Sequence, residues 1–138
     1  PYPPTLARMA KHVVPYLGEA WNPRSRADDG YWFFAVGALF AAHGTHTNEN
    51  RSFGASYAAV AKNSDSIKAR FTQLLNARTD TLPEYLRQAV SLIGEGVSVN
   101  YYRLLDDCLH WTAPGRPVQL KWARDFYLAQ QQTTAPAN

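Results

Sequence analysis

The apolar residues of this chain recur every three or four positions along almost its whole length. Near the start, Leu6, Met9 and Val13 follow Thr5 at this spacing, which predicts a first helix with Thr5 as its N-cap. Proline lacks a backbone N–H and its ring clashes with the preceding turn, so Pro15 is expected to bend or end that helix.

The most apolar stretch of the chain is YWFFAVGALFAAH, residues 31–43. Asp28 and Asp29 precede it, and carboxylates at a helix start are stabilised by the helix dipole. A helix that is apolar on all sides is typical of the interior of a protein, so this stretch predicts a central buried helix. The polar residues after Gly44, THTNENR at 45–51, predict a loop.

Five further segments show the apolar stripe of an amphipathic helix. The stripe positions are Phe53, Tyr57, Val60 and Ala61 in the third predicted helix, Ile67, Phe71, Leu74 and Leu75 in the fourth, Leu82, Leu86, Ala89 and Ile93 in the fifth, Tyr101, Leu104, Leu105, Cys108 and Trp111 in the sixth, and Val118, Trp122 and Phe126 in the seventh. The NSDS cluster at 63–66 offers N-caps for the fourth helix. Thr81 and Glu84 have the spacing of a capping box for the fifth, with Pro83 in its first turn.

Strand signals are almost absent, because only Val97 and Val99 alternate with other residues. The seventh predicted helix begins at Pro117 and runs to about Gln130. The sequence therefore predicts an all-α protein, a compact bundle of about seven short helices. Residues 1–130 are expected to form a single domain, and residues 131–138 a flexible tail.

The charge balance is mildly basic, with a formal net charge of +3 and a pI of about 9.2. Five cations and only one carboxylate lie between Arg51 and Arg78, and ten of the fourteen cations of the chain are arginine. Arginine favours planar, bidentate contacts with phosphate or carboxylate groups. This composition permits nucleic-acid binding without requiring it, and by itself it favours an ordinary solvated basic face.

Several classes of protein are disfavoured by simple features of the chain. One cysteine excludes an intrachain disulfide framework, and no secretory signal is visible. The apolar stretch 31–43 is shorter than the roughly 20 residues that a membrane span needs. We therefore expect a soluble cytoplasmic protein that does not act at a membrane.

The segment NYYRLLDDCLHW carries the residue types of metal sites and acid–base catalysis. Helical spacing places Cys108 on the core-facing stripe and leaves Asp106, Asp107 and His110 off it. Arg103 lies three and four residues before the two carboxylates, which predicts ion pairs between them. A metal site needs three or four ligands, so this segment alone is incomplete. A metal-dependent hydrolase that uses Asp106, Asp107 and His110 stays open as an alternative.

Cations that fall off the apolar stripes are predicted to point outward from several helices. They are Lys68, Arg70, Arg87, Arg116, Lys121 and Arg124. Such a surface suits contact with a phosphate backbone and offers no obvious reading of bases. A protein–protein adaptor whose basic face meets an acidic partner is the other alternative.

The segments RFTQLLNARTDTLPEYLRQAVSLIGEG, YYRLLDDCLHW and PVQLKWARDFY, in this order, resemble the CasB family, and the opening YPPTLARMAKHVVPYL is also similar to it. CasB proteins are the small subunit of the type I-E CRISPR surveillance complex, Cascade. The resemblance implies an all-α protein without catalytic activity, cofactor or metal. Family members usually carry a further N-terminal helical segment. Since this chain begins PYPP and has its only methionine at Met9, we expect a fragment or a processed chain that lacks that segment.

The resemblance also implies partners and contact residues. The expected partners are the other Cascade subunits with their guide RNA, a second copy of the protein, and the target and displaced DNA strands, held without sequence preference to stabilise the R-loop. The cations that match both the family pattern and the outward set are Arg70, Arg87, Arg103, Arg116, Lys121 and Arg124, with Lys68 beside them on the fourth predicted helix. His110 stands where some relatives would carry an arginine.

Overall fold

A computed structural model describes residues 27–43, 45–62 and 64–134, and these residues form an all-α fold of six helices. The helices are α1 (Ala27–His43), α2 (Phe53–Ala61), α3 (Asp65–Leu75), α4 (Leu82–Ile93), α5 (Tyr101–Leu109) and α6 (Pro117–Thr134). They correspond to six of the seven predicted helices. The predicted helix after Thr5, the stop at Gly44 and the last four residues of the chain lie outside the described residues.

The core is built around α2 and α6, which form the most extensive helix pair. The rings of Phe53 and Trp122 lie 5.2 Å apart, and Phe126 stacks on Phe71 of α3 at 4.2 Å. Gly54 allows this close approach, because a Cβ atom at that position would lie 2.1 Å from the carbonyl oxygen of Trp122. The predicted inward direction of the aromatic stripe of α6 is therefore confirmed.

The most apolar helix, α1, is not buried on all sides as predicted. Trp32, Val36 and Leu39 face the core, whereas Tyr31 and Phe34 are 54% and 51% exposed. An apolar run without a polar face cannot indicate which side will pack. Among the described helices, α1 packs against α4 and α5. None of the helices in the three described ranges combines the length and apolar character that crossing a bilayer would require.

Polar side chains close several helix starts as their residue types predict. Ser52, Ser64 and Asn100 each accept a hydrogen bond from the backbone N–H three residues later. The predicted capping box at Thr81 is wrong, because its hydroxyl donates to the carbonyl oxygen of Arg78 at 3.2 Å. The backbone of Thr81 is already helical, so the side chain does not reach the free N–H groups of α4.

The residues 45–51 form the predicted loop, and this loop is held against the start of α5. Thr47 N–H donates to the carbonyl of Val99, and Val99 N–H donates to that of Thr45, both at 3.1 Å. The backbone N–H of Tyr101 donates to Nδ1 of His46 at 3.2 Å. These three hydrogen bonds hold residues 45–47 beside residues 99–101, which are far away in the sequence.

At the other end of the chain, α6 runs to Thr134, four residues beyond its predicted end.

Candidate nucleic-acid interface

The predicted contact cations come from four helices and one connection, and those that line a space on the surface line different ones. Arg70, Arg87, Arg116, Lys121 and Arg124 are exposed, as the sequence predicts, and Lys68 and Arg103 are half-buried. Each cation has different charged neighbours, which depend on the helix that carries it. The groups therefore differ in how free their cations are to contact a phosphate.

The first group lies on α3 and α4. Arg87 is engaged within its own helix, since Nε and Nη2 donate to the two carboxylate oxygens of Glu84 at 3.0 and 2.5 Å. These bonds hold the pKa of Glu84 below its ordinary value. Burial raises the pKa of Tyr57, and the nearby charge of Arg70 opposes that rise. In the described part of the chain Arg70 has no ion-pair partner, so it is more available to a phosphate than Arg87.

The second group surrounds a groove of about 370 Å³ between the 45–51 loop, α5 and α6. Its cations are Arg51, Arg103 and Lys121, and we call it the loop groove. Lys121 Nζ lies 3.1 Å from Oδ1 of Asp125, and Arg51 lies 3.1 Å from Glu49. Each of these two cations therefore already has a carboxylate partner.

Arg103 corrects a prediction made from helical spacing. Its guanidinium donates to the side-chain oxygen of Asn50 in the loop, and within the described ranges it forms no ion pair with Asp106 or Asp107. The side chain of Arg103 therefore contacts the loop rather than a carboxylate of its own helix. Asn100 also holds that loop against α5, through a 2.8 Å bond to the Glu49 carbonyl. The loop groove thus depends on contacts that the local pattern of α5 does not contain.

The third group surrounds a larger cavity of about 610 Å³ between the α3–α4 and α5–α6 connections. Arg116 from one connection and Arg78 from the other line this space, which we call the connection cavity. Arg116 donates to the carbonyl of Leu75 at the end of α3. Arg124 belongs to none of these cavities and lies on the outer side of α6.

Two arginines of these groups, Arg51 and Arg78, are absent from the contact residues predicted by sequence. Both bound the basic segment that the charge distribution singles out. They lie in loops, where no helical stripe indicates an outward direction. Their positions beside Arg103 and Arg116 depend on long-range packing of the connections.

The carboxylates of α5 take on structural partners. Oδ2 of Asp107 accepts a hydrogen bond from Trp122 Nε1 at 2.8 Å, and Asp106 lies 3.5 Å from Nδ1 of His110. Burial raises the pKa of Asp107 to about 6, while the Trp122 bond and the charge of Arg103 oppose the rise. Asp107 therefore faces α6 and belongs to the packing between the two helices.

Cys108 lies in the core as its stripe position predicts, with 2% of its surface exposed. Burial raises the pKa of its thiol well above the ordinary value, which disfavours the reactive thiolate. The described residues contain no group of three or more His, Cys, Asp or Glu side chains that could hold a metal ion. The segment that first suggested catalysis is thus a packing element in this fold.

The fold and the surface together define the class of protein: a helical bundle with buried aromatic side chains and several arginines on its surface. The sequence model of CRISPR-associated protein Cse2 matches residues 3–127. The chain belongs to the Cse2 family, also called CasB, which confirms the relationship predicted from the α3–α6 segments.

Known relatives agree with this assignment. A CRISPR-associated protein Cse2 of Thermus thermophilus is 34% identical over 128 residues, which cover 91% of this chain and 72% of that protein. The crystal structure of M. ruber CasB matches with a TM-score of 0.75 and 28% identity, over 96% of this chain and 88% of that one. A chain in a structure of a CRISPR RNA-guided surveillance complex shares the fold, with a TM-score of 0.68 and 21% identity over 91% of this chain and 73% of its own length.

Proposed function

We propose that this protein is the non-catalytic small subunit of a type I-E CRISPR surveillance complex, Cascade. Membership of the Cse2 family is the observation that carries the proposal. The shared fold with a chain of an RNA-guided surveillance complex is consistent with it. The proposed partners are the other subunits with their guide RNA and a second copy of this protein.

Within the complex, the proposed role is to hold the target and displaced DNA strands of the R-loop through phosphate contacts. The cations on α3, α4, α5 and α6 and on their connections support this role, because they reach solvent from several directions. Contacts of this kind carry affinity without sequence information. Sequence specificity would come from pairing between the guide RNA and the target strand.

The test is a variant in which Arg70, Arg87, Lys121 and Arg124 are all changed to alanine. If each cation neutralises one phosphate of a single strand, the slope of log K against log salt should fall by about 3. We expect the variant to enter the complex and to form R-loops less readily. The deficit should be largest at low salt and shrink as salt rises, because the wild type loses affinity faster than the variant.

The matched control keeps charge and changes shape: Arg70, Arg87 and Arg124 become lysine and Lys121 stays. Because non-specific binding depends on charge, this control should retain most of the affinity and the salt slope. R-loop formation by the alanine variant at the wild-type level would remove the DNA-contact assignment. Failure of the wild-type protein to co-purify with a guide-RNA complex would remove the subunit assignment.

The adaptor alternative has one observation in its favour. Leu120, Tyr127 and Leu128 on α6 are 65%, 57% and 47% exposed, and Arg124 lies among them. A surface that mixes apolar side chains with a cation is typical of protein–protein contacts. Co-purification of a tagged protein with an acidic protein, in the absence of guide RNA, would support the adaptor reading.

A further inference from the structure

The connection cavity has features of a built binding site that the family assignment does not explain. It lies between residues 76–80, which join α3 to α4, and residues 111–116, which join α5 to α6. Its volume is about 610 Å³, and it is widely open to solvent, so it is a surface groove rather than an enclosed pocket.

Hydrogen bonds across the two connections hold the walls of this cavity in place. The buried Nε1 of Trp111 donates to the carbonyl of Ala77 at 2.9 Å, and the Arg116 guanidinium donates to that of Leu75. Gln119, at the start of α6, donates to the Trp111 carbonyl at 2.8 Å. A cavity whose walls are already ordered loses little conformational entropy when a ligand enters.

The charged side chains of the cavity come from both walls. Arg78 lies on one connection with a side chain that is 86% exposed, and Arg116 lies on the other. Arg116 also has a backbone φ of 55°, and Gly115 before it has a φ of 82°. A non-glycine residue in this left-handed region is uncommon, and Lys62 after α2 is the other one among the described residues, with a φ of 46°.

Asp80 is the carboxylate among the described residues of this cavity, and it stands 3.7 Å from Nε of Arg78. Both side chains are largely exposed, so solvent screens their attraction. In the loop groove, Lys121 and Arg51 each hold a carboxylate at the shorter distance of 3.1 Å. Arg78 is thus less tightly paired than Lys121 and Arg51, whereas the partner of Arg116 is a backbone carbonyl rather than a carboxylate.

We propose that the connection cavity binds a phosphate group of a nucleic-acid strand between Arg78 and Arg116. Two guanidinium groups from opposite walls suit a phosphate, since each presents paired N–H donors to its oxygens. Thr79, Thr112 and Asn76 line the same space and offer donors to neighbouring sugar or phosphate oxygens. The strand as the source of the phosphate rests on the proposed function, whereas the site and its two arginines rest on the cavity.

Arg78→Gln is the decisive variant, because the exposed side chain of Arg78 can be replaced without disturbing the fold. Lys62→Gln is its matched control, as Lys62 is exposed, carries the same charge and does not line the cavity. The readout is binding of a twelve-nucleotide single-stranded DNA by the full chain at several salt concentrations. Arg78→Gln should weaken binding about fivefold and reduce the salt slope by about 0.7, and Lys62→Gln should change neither by a comparable amount.

Asp80 provides a variant with the opposite sign. Asp80→Asn frees Arg78 and removes a negative charge that repels phosphate, so the oligonucleotide should bind about two- to threefold more tightly. Glu95→Gln removes an exposed carboxylate outside the cavity and should give a smaller gain. Equal gains from the two variants would contradict a specific role for the cavity.

The outcomes separate the site from the function. If wild type binds the oligonucleotide and Arg78→Gln behaves as Lys62→Gln does, the phosphate site is wrong and the proposed function stands. If neither the free protein nor the assembled complex binds DNA, the strand as the ligand falls with the proposed function. Parallel titrations with AMP and with inorganic phosphate identify the source: binding of either without oligonucleotide binding, lost in Arg78→Gln, would support the site and overturn the strand.

Discussion

At the scale of single residues, Asp107 is the most consequential side chain of the segment that first suggested catalysis. Its carboxylate lies between α5 and α6, accepts a bond from Trp122 and has a pKa raised to about 6 by burial. The ordinary value for this group is 3.8, so the folded protein holds the proton more tightly than the unfolded chain does. Through this group, stability falls as pH rises from about 4 to about 6 and stays at the lower level above that range.

Asp107→Asn should therefore stabilise the protein at neutral pH. The amide oxygen can still accept the bond from Trp122, while the buried negative charge is gone. We expect the free energy of unfolding to rise by about 1–3 kcal/mol at pH 7 and to change little near pH 4. Urea unfolding of both proteins at the two pH values measures this difference.

The control for this prediction is Asp106→Asn on the same helix. The side chain of Asp106 is 49% exposed beside His110, so its removal should change stability by no more than about 0.5 kcal/mol. A loss of stability in Asp107→Asn at pH 7 would mean that the charge itself supports the contact between α5 and α6.

Gly54 is the second residue on which the packing depends. Gly54→Ala would place a Cβ atom 2.1 Å from a backbone oxygen of α6, and a backbone cannot move aside as a flexible side chain can. Overpacking of this kind should lower the free energy of unfolding by about 1–3 kcal/mol or more. Gly96→Ala is the control, since nothing lies within 4 Å of the added atom, and thermal unfolding compares the two.

At the scale of helices and loops, Asn100 joins α5 to the loop that forms the loop groove. Its side-chain oxygen accepts from the N–H of Arg103 at 3.1 Å, and its Nδ2 donates to the carbonyl of Glu49 at 2.8 Å. One side chain thus caps a helix and anchors a loop from a distant part of the sequence. The groove lined by Arg51 and Lys121 depends on that anchor.

Substitutions at Asn100 should separate its two roles. Asn100→Asp keeps the cap and loses the donor, so it should release the loop with little cost to the helix. Asn100→Ala loses both and should lower the free energy of unfolding by about 1–2 kcal/mol. Amide hydrogen exchange at Thr47, whose N–H bonds to the Val99 carbonyl, reports the loop directly.

Ser64→Ala removes a comparable cap at the start of α3 and serves as the reference. It should destabilise that helix and leave the exchange of Thr47 unchanged. Slow exchange of Thr47 in both Asn100 variants would show that the backbone bonds hold the loop without the side chain.

The same scale shows how far the sequence could predict this molecule. The stripes of α2 to α6 are local patterns, so their positions and the burial of Trp122, Phe126 and Cys108 could be anticipated. The side of α1 that packs, the fold of the 45–51 loop onto α5 and the neighbours of Arg103 depend on contacts between distant segments. Periodicity within one helix carries no information about such contacts.

The same difference between local and long-range information applies to the cations of the candidate surface. Outward directions for Arg70, Lys121 and Arg124 followed from the apolar stripes of their helices. Arg51 and Arg78 could not be assigned in that way, because loop residues have no stripe and their cavities form only when the connections pack. The cavities that organise these cations are therefore a result of tertiary structure.

At the scale of the whole molecule, the division of the cations into separate groups has a consequence for how long a strand would stay bound. A strand held at several independent points can leave one of them while the others keep it nearby, so the vacated point is reoccupied at a high effective concentration. Loss of one group would then shorten the residence time of the strand, and the lost positive charge would also slow its initial capture. Under this arrangement, the protein would bind a strand through several weak contacts that open and re-form independently, and their combined affinity would exceed that of any single arginine.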